Sequence, residues 1–161
     1  MAYSISNSYY LDGLSLFDYF GVGVESGSSD LLKPPDRKDS ISHDWMDENG
    51  IDIDLSRVFL QSREATFQMF IIANDEADFW NKYNAFISYL QKPGTRRLTI
   101  SEFSKDFFVF YKSCKTFDRF TRIKDSGKVA CKFTLVLIEK DPTAAQAPTF
   151  LIEETGRFII T

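Results

Sequence analysis

The chain has 161 residues, enough for one domain that buries a hydrophobic core without help from a metal or a disulfide. Its net charge of −4 at pH 7 argues against a free-standing nucleic-acid-binding domain, because such domains carry an excess of positive charge. Two cysteines and one histidine are too few for a structural zinc site, and without a long apolar run or a signal-like start we expect neither membrane insertion nor secretion.

The first part of the chain, residues 1–30, predicts an N-terminal arm or an irregular first strand. Its opening stretch, "MAYSISNSYYLDG", is polar and aromatic without a clear periodicity. Residues 14–24, "LSLFDYFGVGV", are apolar, and Gly21 and Gly23 favour a strand with a bend. The next stretch, "ESGSSD", has the composition of a loop.

The stretch after residue 30 predicts extended chain and then strands. Pro34 and Pro35 exclude a helix there, because proline disfavours the helical conformation for the residue before it. The runs "SISHDWMD" and "IDIDLSRVFL" alternate polar and apolar residues, as strands do, and "ENG" between them is a turn. The run "ATFQMFIIA" alternates more strongly, so we predict a strand over residues 57–72.

The period then changes to that of a helix. Apolar side chains recur at helical spacing on one face of the stretch that follows: Phe79, Tyr83, Phe86, Ile87 and Leu90. Asn74 or Asp75 can cap the first amide groups, and Pro93-Gly94 ends the pattern. The sequence therefore predicts one long helix at about residues 75–91, packed on a sheet through this face.

After the helix the pattern returns to strands. "RRLTISEF" and "FFVFYKS" flank the polar "SKD" and predict a hairpin over residues 96–113, with further strand structure over residues 116–139. Residues 143–161 predict a linker and one more strand or hairpin of the same domain. The predicted fold class is mainly β (α+β), an antiparallel β-sandwich or barrel over residues 31–142 with one flanking helix.

Most acid and base side chains that could support chemistry surround the only histidine, His43. An EF-type calcium loop placed on Gly50 would put Trp45 and Ser56 at two ligand positions, and neither is a carboxylate. Asp44 cannot easily orient His43 as a base, because neighbours on a strand point to opposite faces. The glycine signatures of phosphate loops and nucleophile elbows are missing. We therefore expect no catalytic, metal or cofactor-binding site and no enzyme activity, and interpret this segment as a solvated turn.

The order of elements and several short phrases resemble a known family. A proline-marked stretch "KPPDRKDSISHDW" leads to "DENGIDIDLSRVFLQSREATFQMFI", then to the helix with "FISYLQKPGTRRLTI", and finally to a long strand ending "VLIEKDP". Over roughly residues 30–142 the chain is similar to the N-terminal domain of the distal tail proteins of long-tailed bacteriophages. More broadly, it resembles the phage tail-tube family.

This resemblance implies a structural subunit. In that family an antiparallel sandwich or barrel with one helix assembles as a ring, usually a hexamer, around the channel for DNA. The implied partners are other copies of the chain and other tail proteins, with DNA only as passing channel content, in a virion whose parts are made in the bacterial cytoplasm. The carboxylates of residues 44–54 would then face the channel and weakly repel DNA. A second, carbohydrate-binding-like domain is not expected after residue 142.

Aromatic residues make up 16% of the chain, which favours strands and suggests apolar surface beyond the subunit's own core. A closed ring needs two different patches that meet, and free strand edges can supply them. The candidate interface residues are Tyr9, Tyr10, Phe17, Phe20, Phe107, Phe108 and Phe110. Two alternatives stay open: these aromatics complete the subunit's own core, or the chain is a monomeric β-sandwich module that binds carbohydrate or peptide on an aromatic platform.

Overall fold

Strands are the most abundant secondary structure in the computed structural model, which describes residues 8–118, 121–122, 127–143, 151–152 and 158–159. The elements in chain order are β1 (Tyr9–Leu11), β2 (Leu14–Ser15), α1 (Leu16–Phe20), β3 (Val22–Ser26), β4 (Ser42–His43), β5 (Asp52–Ile53), β6 (Arg63–Ala73), α2 (Glu76–Leu90), β7 (Arg96–Ile100), β8 (Lys105–Phe117), β9 (Thr121–Arg122), β10 (Val129–Glu139), β11 (Leu151–Ile152) and β12 (Phe158–Ile159). Short 3₁₀ turns lie at Ser28–Leu32 and Ser101–Phe103. In this described part, no helix is long and apolar enough to cross a membrane.

Eight strands form one antiparallel sheet, curled into a half-barrel. Their order is β2-β1-β7-β8-β10-β6-β3, with β9 also paired to β10. The longest pairing joins β6 with β10, which are matched along their whole length from Val129 opposite Ala73 to Glu139 opposite Arg63. The predicted fold class, an antiparallel β structure with one long flanking helix, is confirmed. Two small pairs, β4 with β5 and β11 with β12, lie outside this sheet.

The core lies between the sheet and α2. On β6 the residues alternate between buried and exposed, which places Phe67, Met69 and Ile71 on the inner face. The helix begins where the Asp75 side chain accepts a hydrogen bond from Asp78 N (2.8 Å), and it buries the apolar face that its spacing predicts. The buried side chains therefore follow the alternation of β6 and the helical spacing of α2, both of which are visible in the sequence.

Residues 9–11 and 22–26 belong to this sheet. Strand β1 pairs with β7, with Tyr9 opposite Ile100, and β3 pairs with β6. The irregular first strand, one of our two expectations, therefore describes residues 9–11 better than a separate arm does. The predicted strand over residues 14–24 is wrong, because the helix α1 interrupts it. Ser15 Oγ accepts from Asp18 N (3.2 Å) at its start, and Gly21 ends it with a φ of 67°.

Other predicted boundaries also shift. The strand predicted from residue 57 begins at Arg63, and the two alternating runs before it pair over only two residues each, in β4 and β5. Strand β8 continues to Phe117, so the predicted break after residue 113 is absent. The long run over residues 116–139 is divided instead between the end of β8, the short β9, and β10.

Candidate assembly surface

Residues 36–61 leave the sheet as a projecting hairpin. Near its base, Lys38 N donates to Phe59 O (2.8 Å), and β4 pairs with β5 closer to the tip. Every residue from 41 to 59 is exposed. The projecting hairpin is therefore held together by its own hydrogen bonds and is not packed on the sheet.

The projecting hairpin exposes a dense set of large apolar side chains. It carries eight of the sixteen large hydrophobic side chains that are exposed in the described residues: Ile41, Trp45, Met46, Ile51, Ile53, Leu55, Val58 and Phe59. Met46, at the tip, has a relative exposure of 104%. Single exposed apolar residues are ordinary, whereas eight on one short segment favour contact with another molecule.

The same hairpin is acidic. Between Lys38 and Arg57 there is no Lys or Arg, and there are six carboxylates: Asp39, Asp44, Asp47, Glu48, Asp52 and Asp54. Hydrogen bonds from Ser56 hold the pKa of Asp54 below its ordinary value, so this carboxyl is ionised at neutral pH. A partner surface should therefore offer both apolar contact and positive charge.

A buried ion pair holds the base of the projecting hairpin on the sheet. Arg63, the first residue of β6, donates from Nε to Glu139 Oε2 (2.7 Å) and from Nη1 to Lys33 O (2.6 Å). The side chains of Arg63 and Glu139 are 9% and 1% exposed. Because Lys33 leads into the hairpin and Arg63 follows it, one guanidinium joins both ends of this segment to β10.

A cavity of about 660 Å³ opens at the C-terminal end of α2. It forms because β7 pairs with β8 only as far as Arg96 opposite Val109, so in the described part of the chain the rest of β8 has a free edge on that side. The loop after α2 stands beside this edge. The lining combines apolar and cationic side chains and, among described residues, has no carboxylate; it includes Leu90, Phe110, Tyr111, Lys92 and Lys140.

The structure separates the candidate interface residues into surface and core. Phe20 and Phe107 are fully buried in the hydrophobic core of this subunit, so their burial does not favour the predicted contact with another subunit. Tyr9 and Tyr10 are half-buried in β1. Three side chains keep substantial exposure: Phe17 at 36%, Phe108 at 38% and Phe110 at 37%.

The remaining candidates do not all lie together. Phe108 and Phe110 share one face of β8, and Phe110 also lines the cavity. Tyr10 is opposite Thr99, which is opposite Asp106, so Tyr10 lies on the same face of the sheet as Phe108. The projecting hairpin was not predicted from the sequence as part of an assembly surface. The signal was present in "IDIDLS", where each apolar residue is flanked by polar ones although the run is not part of the central sheet.

The carboxylates around His43 lie on the exposed hairpin and do not form a metal site in the described residues, which contain no group of three or more His, Cys, Asp or Glu side chains able to hold an ion. His43 is opposite Asp52 in the β4–β5 pair, and its ring lies 3.9 Å from that of Trp45. The ring contact is a packing interaction within the hairpin tip.

We expect His43→Ala to leave the melting temperature unchanged, because the side chain is exposed. Calcium and a chelator should likewise leave the melting temperature of the wild-type protein unchanged. Thermal unfolding followed by circular dichroism measures both effects. A calcium-dependent rise of several degrees would contradict this reading of residues 47–54.

The aromatic rings on the outside of α2 do not form a flat platform. Trp80 meets the ring of Tyr83 at 84°, and Tyr83 meets Phe117 of β8 at 77°. Edge-to-face contacts of this kind join the helix to the sheet. They do not offer the coplanar faces on which a sugar ring would stack, so this cluster does not favour the carbohydrate-binding alternative.

No protein-family model matches the sequence, and no curated protein matches it. Among solved structures, the chain is similar in fold to the SPP1 Dit (gp 19.1) protein, described as a paradigm of the hub adsorption apparatus in phages that infect Gram-positive bacteria. The TM-score is 0.62 and the sequence identity 19%. The similarity covers 84% of this chain and 50% of that one, so this chain spans about half the length of the solved protein. At this identity the likeness is one of fold.

Proposed function

We propose that this chain is a structural subunit of a phage or phage-like tail, in a tail-tube or distal-tail position, and that it assembles with copies of itself into a ring. The observation that carries the proposal is the similarity in fold to a phage hub protein at a TM-score of 0.62. The projecting hairpin supports it independently, since an exposed apolar segment of this size calls for a covering partner.

The proposed ring is a hexamer around a channel through which DNA only passes, and its other partners are further tail proteins of the virion. A head-to-tail ring requires two different patches on each subunit. The projecting hairpin is one such patch. Surface aromatics provide a second: Phe108, and Phe110 at the start of the free edge of β8.

From the family resemblance we expected the carboxylates of residues 44–54 to face the DNA channel, and this proposal places them elsewhere. They lie on the same hairpin as Trp45 and Met46. Large apolar side chains gain more from burial against a protein surface than from lining a water-filled channel. We therefore assign these carboxylates to a contact between subunits and not to the channel wall.

Sedimentation velocity and native mass spectrometry of the purified chain test the proposal. We expect a closed oligomer with the mass of six 18.5 kDa chains, and ring-shaped particles in negative-stain electron microscopy. A strict monomer at every concentration would contradict the ring and would favour the monomeric binding module. Labelling the chain on intact particles and imaging them would place it in the tube or at the distal end.

A further inference from the structure

We propose that the tip of the projecting hairpin of one subunit docks into the cavity at the C-terminal end of α2 of a second copy. Trp45 and Met46 would enter the cavity, while the carboxylates beside them would meet Lys92 and Lys140. This inference rests on the proposed ring and names the two surfaces that join its subunits. Each subunit carries one tip and one cavity, which is the arrangement that a head-to-tail contact needs.

The tip of the projecting hairpin carries side chains that are suited to binding in a cavity. Trp45 and Met46 are adjacent and exposed, at 49% and 104%. Trp45 O accepts from Glu48 N (3.2 Å), which closes the turn and presents both side chains at the end of the hairpin. Tryptophan and methionine are enriched at protein interfaces, where a buried tryptophan often contributes a large part of the affinity.

The cavity has the properties of a receptor for this insert. Its lining includes three large apolar or aromatic side chains, the buried Leu90 with Phe110 and Tyr111. Its volume of about 660 Å³ is in the range of ligand-binding clefts, and the cleft is broadly open to solvent. Open space surrounds Gly94 in the loop at its rim, so no side chain of the subunit's described residues closes that side.

The charges of the two surfaces are complementary. Six carboxylates lie on the hairpin between residues 38 and 57, and the cavity presents two lysines. Lys140 makes no ion pair with a described carboxylate, and Lys92 lies over the ring of Tyr89 at 4.4 Å. A contact between these ammonium groups and incoming carboxylates should weaken as salt is added.

The position of the hairpin favours a neighbouring copy over the subunit's own cavity. The hairpin begins next to Glu139, and the following residue, Lys140, lines the cavity. Fully extended, the segment from Arg37 to Asp44 spans at most about 25 Å, which is long enough to hold the tip well away from this starting point. A tip carried away from its own cavity by that distance is well placed to reach the cavity of the next subunit.

Mixing two assembly-deficient full-length variants tests this docking. The tip variant is Trp45→Ala with Met46→Ala, and the cavity variant is Lys140→Glu. Each alone should raise the apparent dissociation constant for assembly at least about 30-fold, as expected for hot-spot residues. An equimolar mixture should recover a dimer, because the intact tip of the cavity variant can enter the intact cavity of the tip variant.

Matched controls keep the outcome specific. Trp80→Ala removes a tryptophan of similar exposure outside the hairpin, and Lys105→Glu reverses a surface lysine outside the cavity. Both should assemble as the wild type does, and circular dichroism should show all variants folded. Sedimentation velocity measures the association in every case.

Different outcomes of this experiment would contradict the docking contact alone or the proposed ring as well. If the wild type assembles and the tip and cavity variants assemble equally well, the docking is wrong while the ring stands. If both variants fail to assemble but their mixture stays monomeric, the tip and the cavity do not bind each other. A wild type that is monomeric at all concentrations overturns the proposed ring and this contact with it.

Discussion

Replacing Glu139 with alanine is expected to lower the free energy of unfolding by about 3–5 kcal/mol, because it leaves the buried guanidinium of Arg63 without its counter-charge. Glu139 accepts from both Nε and Nη2 of Arg63 on the inner face of the sheet. Water cannot replace the carboxylate fully, since the Arg63 side chain is only 9% exposed. This loss in the free energy of unfolding arises because the substitution leaves Arg63 charged and unpaired. It is not the difference in stability between the intact ion pair and two apolar residues at the same positions.

Urea denaturation of the wild type and the Glu139→Ala variant measures this loss. A matched control is Glu64→Ala, on the next residue of β6, whose carboxylate pairs with Lys112 on the exposed face of the sheet. That variant should unfold at the wild-type urea concentration, because exposed pairs contribute little. Equal midpoints for Glu139→Ala and the wild type would mean that water reaches Arg63 and that the pair is not buried.

Phe86→Ala is expected to cost a similar amount, about 3–5 kcal/mol, because it creates a cavity where α2 packs on the sheet. The Phe86 side chain is 1% exposed, and its ring lies 5.5 Å from that of Phe20 and 6.4 Å from that of Phe133. Three separate elements, α1, α2 and β10, therefore lose contacts at once. Denaturation followed by tryptophan fluorescence or circular dichroism reports the change.

The control for this second variant is Ser88→Ala, two residues further along the helix on its exposed side. Alanine is a better helix former than serine, so this change should leave stability equal or slightly higher. A Phe86→Ala protein within about 0.5 kcal/mol of the wild type would show that this face of α2 is not buried, since surface changes have effects of that size.

The helix and the central strands could be predicted because their burial follows from local periodicity. The apolar spacing around Phe79 and Phe86 requires a helix with one buried face, and Asp75 marks its start. Helix α1 could not be predicted in the same way. "LFDYF" is too short for a clear period, and only its flanking Ser15 and Gly21, which cap it, distinguish it from a strand.

The candidate assembly surface was harder to predict for a different reason. Phe107 and Phe108 are neighbours of the same type, and the pairing of β8 with β7 and β10 decides which one faces the core. Likewise, the alternation in residues 51–56 shows that one side of that segment is apolar. It does not show whether the subunit itself or a second molecule covers that side. Burial inside a subunit and burial at an interface both require the same alternation of apolar and polar residues.

The place of β1 in the sheet has a consequence for synthesis. Tyr9 pairs with Ile100, so the second strand of the sheet order cannot join until the ribosome has made the chain through β7. At roughly 5–20 residues per second, this wait lasts about 5–20 seconds. Pairings between such distant residues also slow the folding reaction itself. During that interval Leu11, Leu16 and Phe20, all buried in the finished subunit, are exposed on the nascent chain, where a chaperone would bind them.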